Sequence, residues 1–231
     1  MHRVADWPRL LDAGARFVVA RWRRLALAAL GLLAPLWAFG LFADAVDDGR
    51  PFAFDIPLLE LARSLSSPTL DRWMLYASDL GYQWFVVPAD VALLVVLLAG
   101  KHVRKAIFVA ASVIGSLALN FATKAIFARE RPSLWESIAP EHSYSFPRGH
   151  AMGAATLAAV LVLLTWNRPG RWHVLVLSTA FATWVGASRV YLGVHYPSDI
   201  LAGMLAAVAW CSFAYLIIRP HRHTGNLPDA A

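Results

Sequence analysis

Six long apolar runs constrain this chain more than any other feature: Leu25 to Ala43, Trp84 to Ala99, Ala106 to about Ala125, Ala151 to Trp166, Val174 to about Ser188, and Ile200 to Ile218. A helix needs about 20 predominantly apolar residues to cross the hydrocarbon core of a bilayer, where its backbone groups must be satisfied internally. The runs therefore predict an all-α fold, a six-transmembrane-helix bundle over residues 25–218 between tails 1–24 and 219–231. Several runs are short or rich in small residues, which suits helices packed within a bundle better than helices facing lipid. Composition points the same way. With 58% hydrophobic residues, 16% charged residues and a mean hydropathy of +0.52, the chain is neither disordered nor an ordinary water-soluble enzyme. A single cysteine, Cys211, offers no disulfide framework and no thiolate metal cluster.

Arg21, Arg23 and Arg24 precede the first run, and Ala43-Asp44-Ala45 after it has the small residues of a signal-peptide cleavage site. The run exceeds the roughly 7–15 apolar residues of a signal peptide, so a retained first span is expected. Six spans place both termini on one side. That side carries Arg3, Arg9, Arg16, Arg21, Arg23, Arg24, Lys101, Arg104, Lys105, Arg168, Arg171, Arg219 and Arg222, thirteen of the 21 basic residues, and is cytoplasmic by the positive-inside rule. Trp73, Trp84 and Trp135 on one side, with Trp22, Trp166 and Trp172 on the other, fall where interfacial aromatic belts are expected. The net charge of +6 would suggest nucleic acid as the partner of a soluble protein; here it reads as orientation in a cell inner membrane, with no nucleic-acid partner expected.

The first outer connection, Asp44 to Gln83, is the longest. Ile56, Leu59, Ala62 and Leu65 recur at helical spacing and predict a short helix there, lying in the interface or packed on the bundle.

Five of the remaining basic residues (Lys124, Arg129, Arg131, Arg148 and Arg189) gather beside span ends on the outer face, with His142, His150, His195 and Asp199. Charge at a membrane boundary is costly unless paired or occupied, and the sign of the cluster predicts an anionic ligand. Seven residues separate Lys124 from Arg131, nearly two helical turns, so the two share a face about 10 Å apart while the helix lasts, with Pro132 stopping it beyond. Basic residues snorkelling at a span end have the same spacing. Ser145-Phe146-Pro147-Arg148-Gly149-His150 leads into the fourth run, where a helix N-terminus presents free amides and Gly149 lets an oxyanion approach; a polar cap is the structural alternative. In the third segment, Ser188 to Asp199, His195 has a carboxylate four residues on. Asp199 is then placed to accept a hydrogen bond from one ring nitrogen and leave the other as a lone pair, or the two form a helix-cap pair.

Taken together and in order, Lys124 to Arg131-Pro132, Pro147-Arg148-Gly149-His150, and Ser188-Arg189 to His195 and Asp199 resemble the signature of the type 2 phosphatidic acid phosphatase superfamily. The resemblance implies a membrane-bound lipid phosphatase without metal or cofactor: His195 as nucleophile forming a phosphohistidine, Asp199 orienting it, and His150 as general acid and base. It further implies that Lys124, Arg131, Arg189, Arg148 and the Gly149 amide hold the phosphate oxygens. One position departs from the pattern. Arg148 stands where the family has serine, so the expectation is retained activity with altered substrate preference. The implied partner is an amphiphilic lipid phosphate drawn from membrane lipid, received at the periplasmic or exterior face. Undecaprenyl pyrophosphate ranks ahead of phosphatidic acid, phosphatidylglycerol phosphate and lipid A phosphate, because a diphosphate would occupy Arg148 and Arg129. A transport protein or a non-catalytic lipid-binding relative is the rival; transport would call for polar residues deep in the spans, where Asp90 is the only carboxylate.

Overall fold

The structure, a computed structural model, describes residues 19, 21, 22, 25–50, 52–127, 129–135, 137–139, 146 and 149–221, with the backbone alone at 149 and 150. Among the described residues there are seven helices and no strand: α1 (Leu27–Asp47), α2 (Asp55–Ser64), α3 (Pro68–Ala99), α4 (Val103–Phe127), α5 (Gly149–Thr165), α6 (Arg171–Tyr191) and α7 (Pro197–Ile218). All of them but α2 and α5 are long and apolar enough to cross a membrane. Each of the six apolar runs coincides with a helix.

The outer faces of the bundle are strongly apolar, as expected of a chain solvated by lipid, and its interior mixes apolar side chains with small and polar ones. Val96, Ile114, Leu177 and Ile217 are each about two-thirds exposed on the outer faces of α3, α4, α6 and α7. Within, Ser116 of α4 and Thr156 of α5 share a buried hydrogen bond of 2.6 Å. Gly115 lies under the Trp210 ring, where an added Cβ would collide, and this close approach lets the indole Nε1 of Trp210 donate to the Ala111 carbonyl at 3.0 Å. Helix α5 occupies the centre. Its first turns, including Ala151, Met152, Ala154, Ala155, Leu157 and Val160, are buried against α4, α6 and α7. A helix enclosed on all sides needs no amphipathic pattern.

Arg104 at the start of α4 donates to the carbonyl of Ile218 at the end of α7 at 2.7 Å, whereas Arg129, just past the end of α4, reaches Ser198 at the start of α7 at 2.8 Å. The two helices are thus antiparallel, and one end of the bundle collects the C-termini of α4 and α6 with the N-termini of α5 and α7.

Helix α3 departs from expectation. It begins at Pro68, sixteen residues before the apolar run, because Ser67 caps it by accepting the Leu70 N–H at 3.3 Å with Pro68 in the first position. Its 32 residues include a π-helical stretch at Leu80–Trp84 and a break in helical geometry at Phe85; a straight α-helix of that length would extend about 48 Å, well beyond a core of about 30 Å. The projecting turns brace α6: Tyr191 donates its hydroxyl proton to Asp71 at 2.5 Å and accepts the Ser67 N–H at 3.3 Å. The short helix expected after Asp44 is α2. It buries Asp55 and Leu59 against α6 and α7 while Ile56, Leu58 and Leu61 remain exposed. At the opposite end, Pro220 is buried and the His221 ring lies 6.1 Å from Tyr215, so the chain stays packed just past α7. Residues 1–18 and 222–231 of the expected tails lie outside the described residues.

Candidate active site

The turn between α6 and α7 presents His195. Gly193 adopts φ +69°, a left-handed conformation that disfavours any side chain, and the Trp135 ring stands 2.5 to 2.6 Å from where its Cβ would be. Backbone conformation and packing thus both require glycine there. The turn directs Val194 and His195 inward, and His195 is fully buried. Helix α7 then starts at Pro197, and Asp199 accepts the Tyr196 N–H at 3.1 Å through Oδ2. The same Oδ2 lies 3.7 Å from His195 Nδ1. Asp199 therefore caps its helix and faces the imidazole with one oxygen, so the cap and the orienting partner coexist.

Arg131 completes this group. Its Nη1 lies 2.7 Å from both His195 Nε2 and the Val194 carbonyl. A guanidinium has no acceptor, so Nε2 receives that hydrogen bond and carries a lone pair, which leaves the ring proton on Nδ1, facing Asp199. This tautomer is the one a nucleophilic Nε2 needs.

Two expectations are corrected. Helix α4 ends at Phe127, so Lys124 and Arg131 do not share a helical face. Lys124 is half-buried in the last turn of α4, while Arg131 belongs to the non-helical stretch beyond it, held away from helical geometry by its bonds to the α6–α7 turn and by Pro132 after it. Arg129 is not an exposed phosphate ligand. Its Nη1 donates to Asp199 Oδ1 at 2.5 Å and to the Ser198 hydroxyl at 2.8 Å, its Nη2 to Asp55 Oδ2 at 3.1 Å, and its guanidinium lies 4.1 Å over the Tyr196 ring. Burial pushes the Tyr196 phenol up, against the opposing pull of Arg129, so the ring beneath the guanidinium stays neutral.

Arg189, in the last turn of α6, is 2% exposed and donates to the Ser78 hydroxyl of α3. Gly149 and His150 open α5 at the same end of the bundle, so a helix N-terminus stands at the second motif; the His150 side chain, like Pro147 and Arg148, lies outside the described residues. Phe146 just before it is buried between Phe39 of α1 and Phe127 of α4. The structure thus joins Arg131, His195 and Asp199 by direct contact and sets Lys124, Arg189 and the start of α5 at the same end.

Sequence reading did not anticipate Asp55. It is 2% exposed and accepts the Ser198 N–H at 2.9 Å and the Ser198 hydroxyl at 2.6 Å, besides Arg129. Its only sequence signal is a carboxylate in the first turn of a helix, which reads equally well as favourable placement near the helix dipole.

A family model described as the PAP2 superfamily matches residues 105–222, just over half of the chain. The chain belongs to the PAP2 superfamily. An undecaprenyl-diphosphatase of Sulfolobus acidocaldarius is 28% identical over 181 residues, covering 75% of this PAP2 chain and 82% of that protein. A phosphatidylglycerophosphatase B of Bacillus subtilis is 29% identical over 174 residues, covering 71% and 83%. Among solved structures, a transmembrane PAP2-type phosphatidylglycerolphosphate phosphatase from Bacillus subtilis matches with a TM-score of 0.70 at 24% identity, over 83% of this chain and 98% of that one. LpxE from Aquifex aeolicus matches with a TM-score of 0.59, also at 24% identity, over 71% and 95%. These likenesses establish a shared PAP2 fold in a membrane setting.

Proposed function

We propose that the protein is an integral-membrane lipid phosphatase that works through a phosphohistidine, in two steps. His195 Nε2 attacks phosphorus, the bond from phosphorus to the leaving oxygen breaks, and His150 supplies the proton that oxygen takes up. His150 then takes a proton from water as the water attacks the phosphohistidine, and inorganic phosphate leaves. Asp199 holds the Nδ1 proton and balances the imidazolium charge. Arg131, Lys124, Arg189, Arg148 and the Gly149 amide hold the non-bridging oxygens, whose charge must be stabilised in the transition state.

The observation that carries this reading is the bond from Arg131 to His195 Nε2. Nε2 has a single lone pair, so Arg131 gives up this bond when it turns to the anionic oxygens of a substrate; the same move frees the lone pair and leaves phosphorus beside the attacking nitrogen.

The substrate class is an amphiphilic lipid phosphate, as in the named relatives. An isoprenyl diphosphate ranks first, supported by the undecaprenyl-diphosphatase relative and by the additional cation Arg148. Arg129 does not support that ranking, because it is engaged by two carboxylates. In this reading six helices span the cell inner membrane, both termini are cytoplasmic, and the site faces the periplasm or exterior. Helix α2 rests in the outer interface, as its exposed Ile56, Leu58 and Leu61 favour.

The test is phosphate release from a panel of lipid monophosphates and diphosphates by purified protein in chelator. Activity in wild type that is lost in His195→Ala, with acid-labile label on the wild-type protein during turnover, is the expected result; no release from any lipid would sink the proposal. Arg148→Ser should shift preference from diphosphate towards monophosphate substrates. For sidedness, Cys211 is buried and Ser133 is exposed, so Ser133→Cys should react with an impermeant thiol reagent added from outside.

A further inference from the structure

Of the four-residue network behind the imidazole, only Asp199 has a part in the mechanism above. Asp55 on α2, Arg129 after α4, and Ser198 and Asp199 on α7 come from three separate segments of chain, and Asp55, Ser198 and Asp199 are each at most 2% exposed. Two carboxylates share one guanidinium, with Asp55 bonded to Arg129 at 3.1 Å and Asp199 at 2.5 Å. Ser198 donates its hydroxyl to Asp55 and accepts from Arg129.

Asp199 divides its oxygens: Oδ1 takes Arg129, while Oδ2 takes the Tyr196 N–H and faces His195. Rotation of the carboxylate moves both oxygens together, so the Arg129 bond to Oδ1 resists any turn that would carry Oδ2 away from the imidazole. Asp55 in turn fixes Arg129 by a second bond and offsets its charge. Alone beside Asp199, the Arg129 cation would draw the carboxylate away from the imidazole; with Asp55 present, one negative charge of the trio is left over for it.

From this geometry we infer that Asp55 and Arg129 are positioning residues for the phosphoryl-transfer site, holding Asp199 and through it His195, so that seating of the outer helix α2 sets catalytic competence. This inference rests on the phosphatase reading. Among the described residues, the charged groups around His195 are Arg131 at Nε2 and Asp199 at Nδ1, with Arg129 and Asp55 behind Asp199; Arg189 on α6 and Lys124 on α4 come from the neighbouring elements.

Asp55→Asn and Arg129→Gln separate positioning from packing. Each should lower kcat by about ten- to a hundredfold, the scale of a small misplacement of a reacting group, with KM changed less than about threefold. Their pH profiles should move in opposite directions. Removing the Asp55 charge destabilises the imidazolium and shifts the acid limb to lower pH; removing the Arg129 charge shifts it to higher pH. Opposite shifts report the two charges acting on the imidazole; positioning is read from the fall in kcat at a pH above the limb, which a charge effect on the imidazole alone would not produce. Ser198→Ala, which keeps every charge, should lower kcat less and leave the limb in place, and it serves if either charge variant fails to fold. The exposed pair of Arg50 with Asp44 is the control, and Arg50→Gln should behave as wild type.

Kcat within about threefold of wild type in both folded charge variants would overturn the inference, as would shifts of the same sign. If wild type releases no phosphate, the phosphatase reading fails by itself. The 15N shifts of His195, assigned with His195→Asn, then decide the inference without turnover: loss of the Nδ1–H tautomer in the two charge variants supports positioning, and an unchanged tautomer refutes it.

Discussion

The two ends of the bundle treat their basic residues differently. At the end where α4 starts and α7 finishes, Lys101, Arg168, Arg171 and Arg219 are exposed, and Arg104 directs its charge to the Ile218 carbonyl. At the other end Arg189 is buried, Arg129 is locked between Asp55 and Asp199, and Arg131 holds an imidazole. Counting charge therefore says little about where chemistry happens. What separates the ends is burial with partners on other elements, because a buried cation persists only where the fold has paired it.

The largest effect expected at the paired end is from His195→Ala. Removing the proposed nucleophile should cost at least about 10⁴-fold in phosphate release, as loss of one member of a catalytic unit does elsewhere. Arg131→Ala should come next, with kcat lowered about 10²- to 10³-fold, the usual range for removing one donor to a developing oxyanion, measured as initial rates at saturating lipid phosphate. Gly193→Ala should destabilise the fold by about 1–3 kcal/mol, through left-handed strain and the collision with Trp135, read as a lowered midpoint of unfolding in detergent. At the exposed end, Lys101→Gln and Arg168→Gln should change stability by less than about 0.5 kcal/mol and leave phosphate release within about twofold. Activity loss there comparable to that of Arg131→Ala would erase the distinction between the ends.

The helices were legible because lipid imposes one demand along a whole segment: enough consecutive apolar residues, whatever their neighbours. Leu25 to Ala43 and Ile200 to Ile218 could be read that way without knowing what packs on them. The turns Pro68–Asp79 were not, since their apolar residues alternate with Asp71 and Arg72, and the reason for the helix lies in Ser67 and in the surface of α6. Helical periodicity misled at Arg131 because spacing cannot say where a helix stops. Here it stops at Phe127, and Arg131 beyond it is held by a partner 63 residues away.

Sequence by itself determined that this chain is a helical membrane protein with one dense basic cluster, and that its ordered motifs resemble one phosphatase superfamily. Both rest on properties carried along the chain, hydropathy and local spacing. Only the tertiary structure decided what each cation does: Arg129 and Arg131 are two residues apart, yet one is sealed between carboxylates and the other reaches His195. That division depends on Asp55, which is 74 residues from Arg129 and 143 from Ser198 in the chain and is brought to both only by the packing of α2 on α6 and α7. Electrostatic pairing falls off within a few ångströms, so it is set by distances in space that no one-dimensional spacing contains.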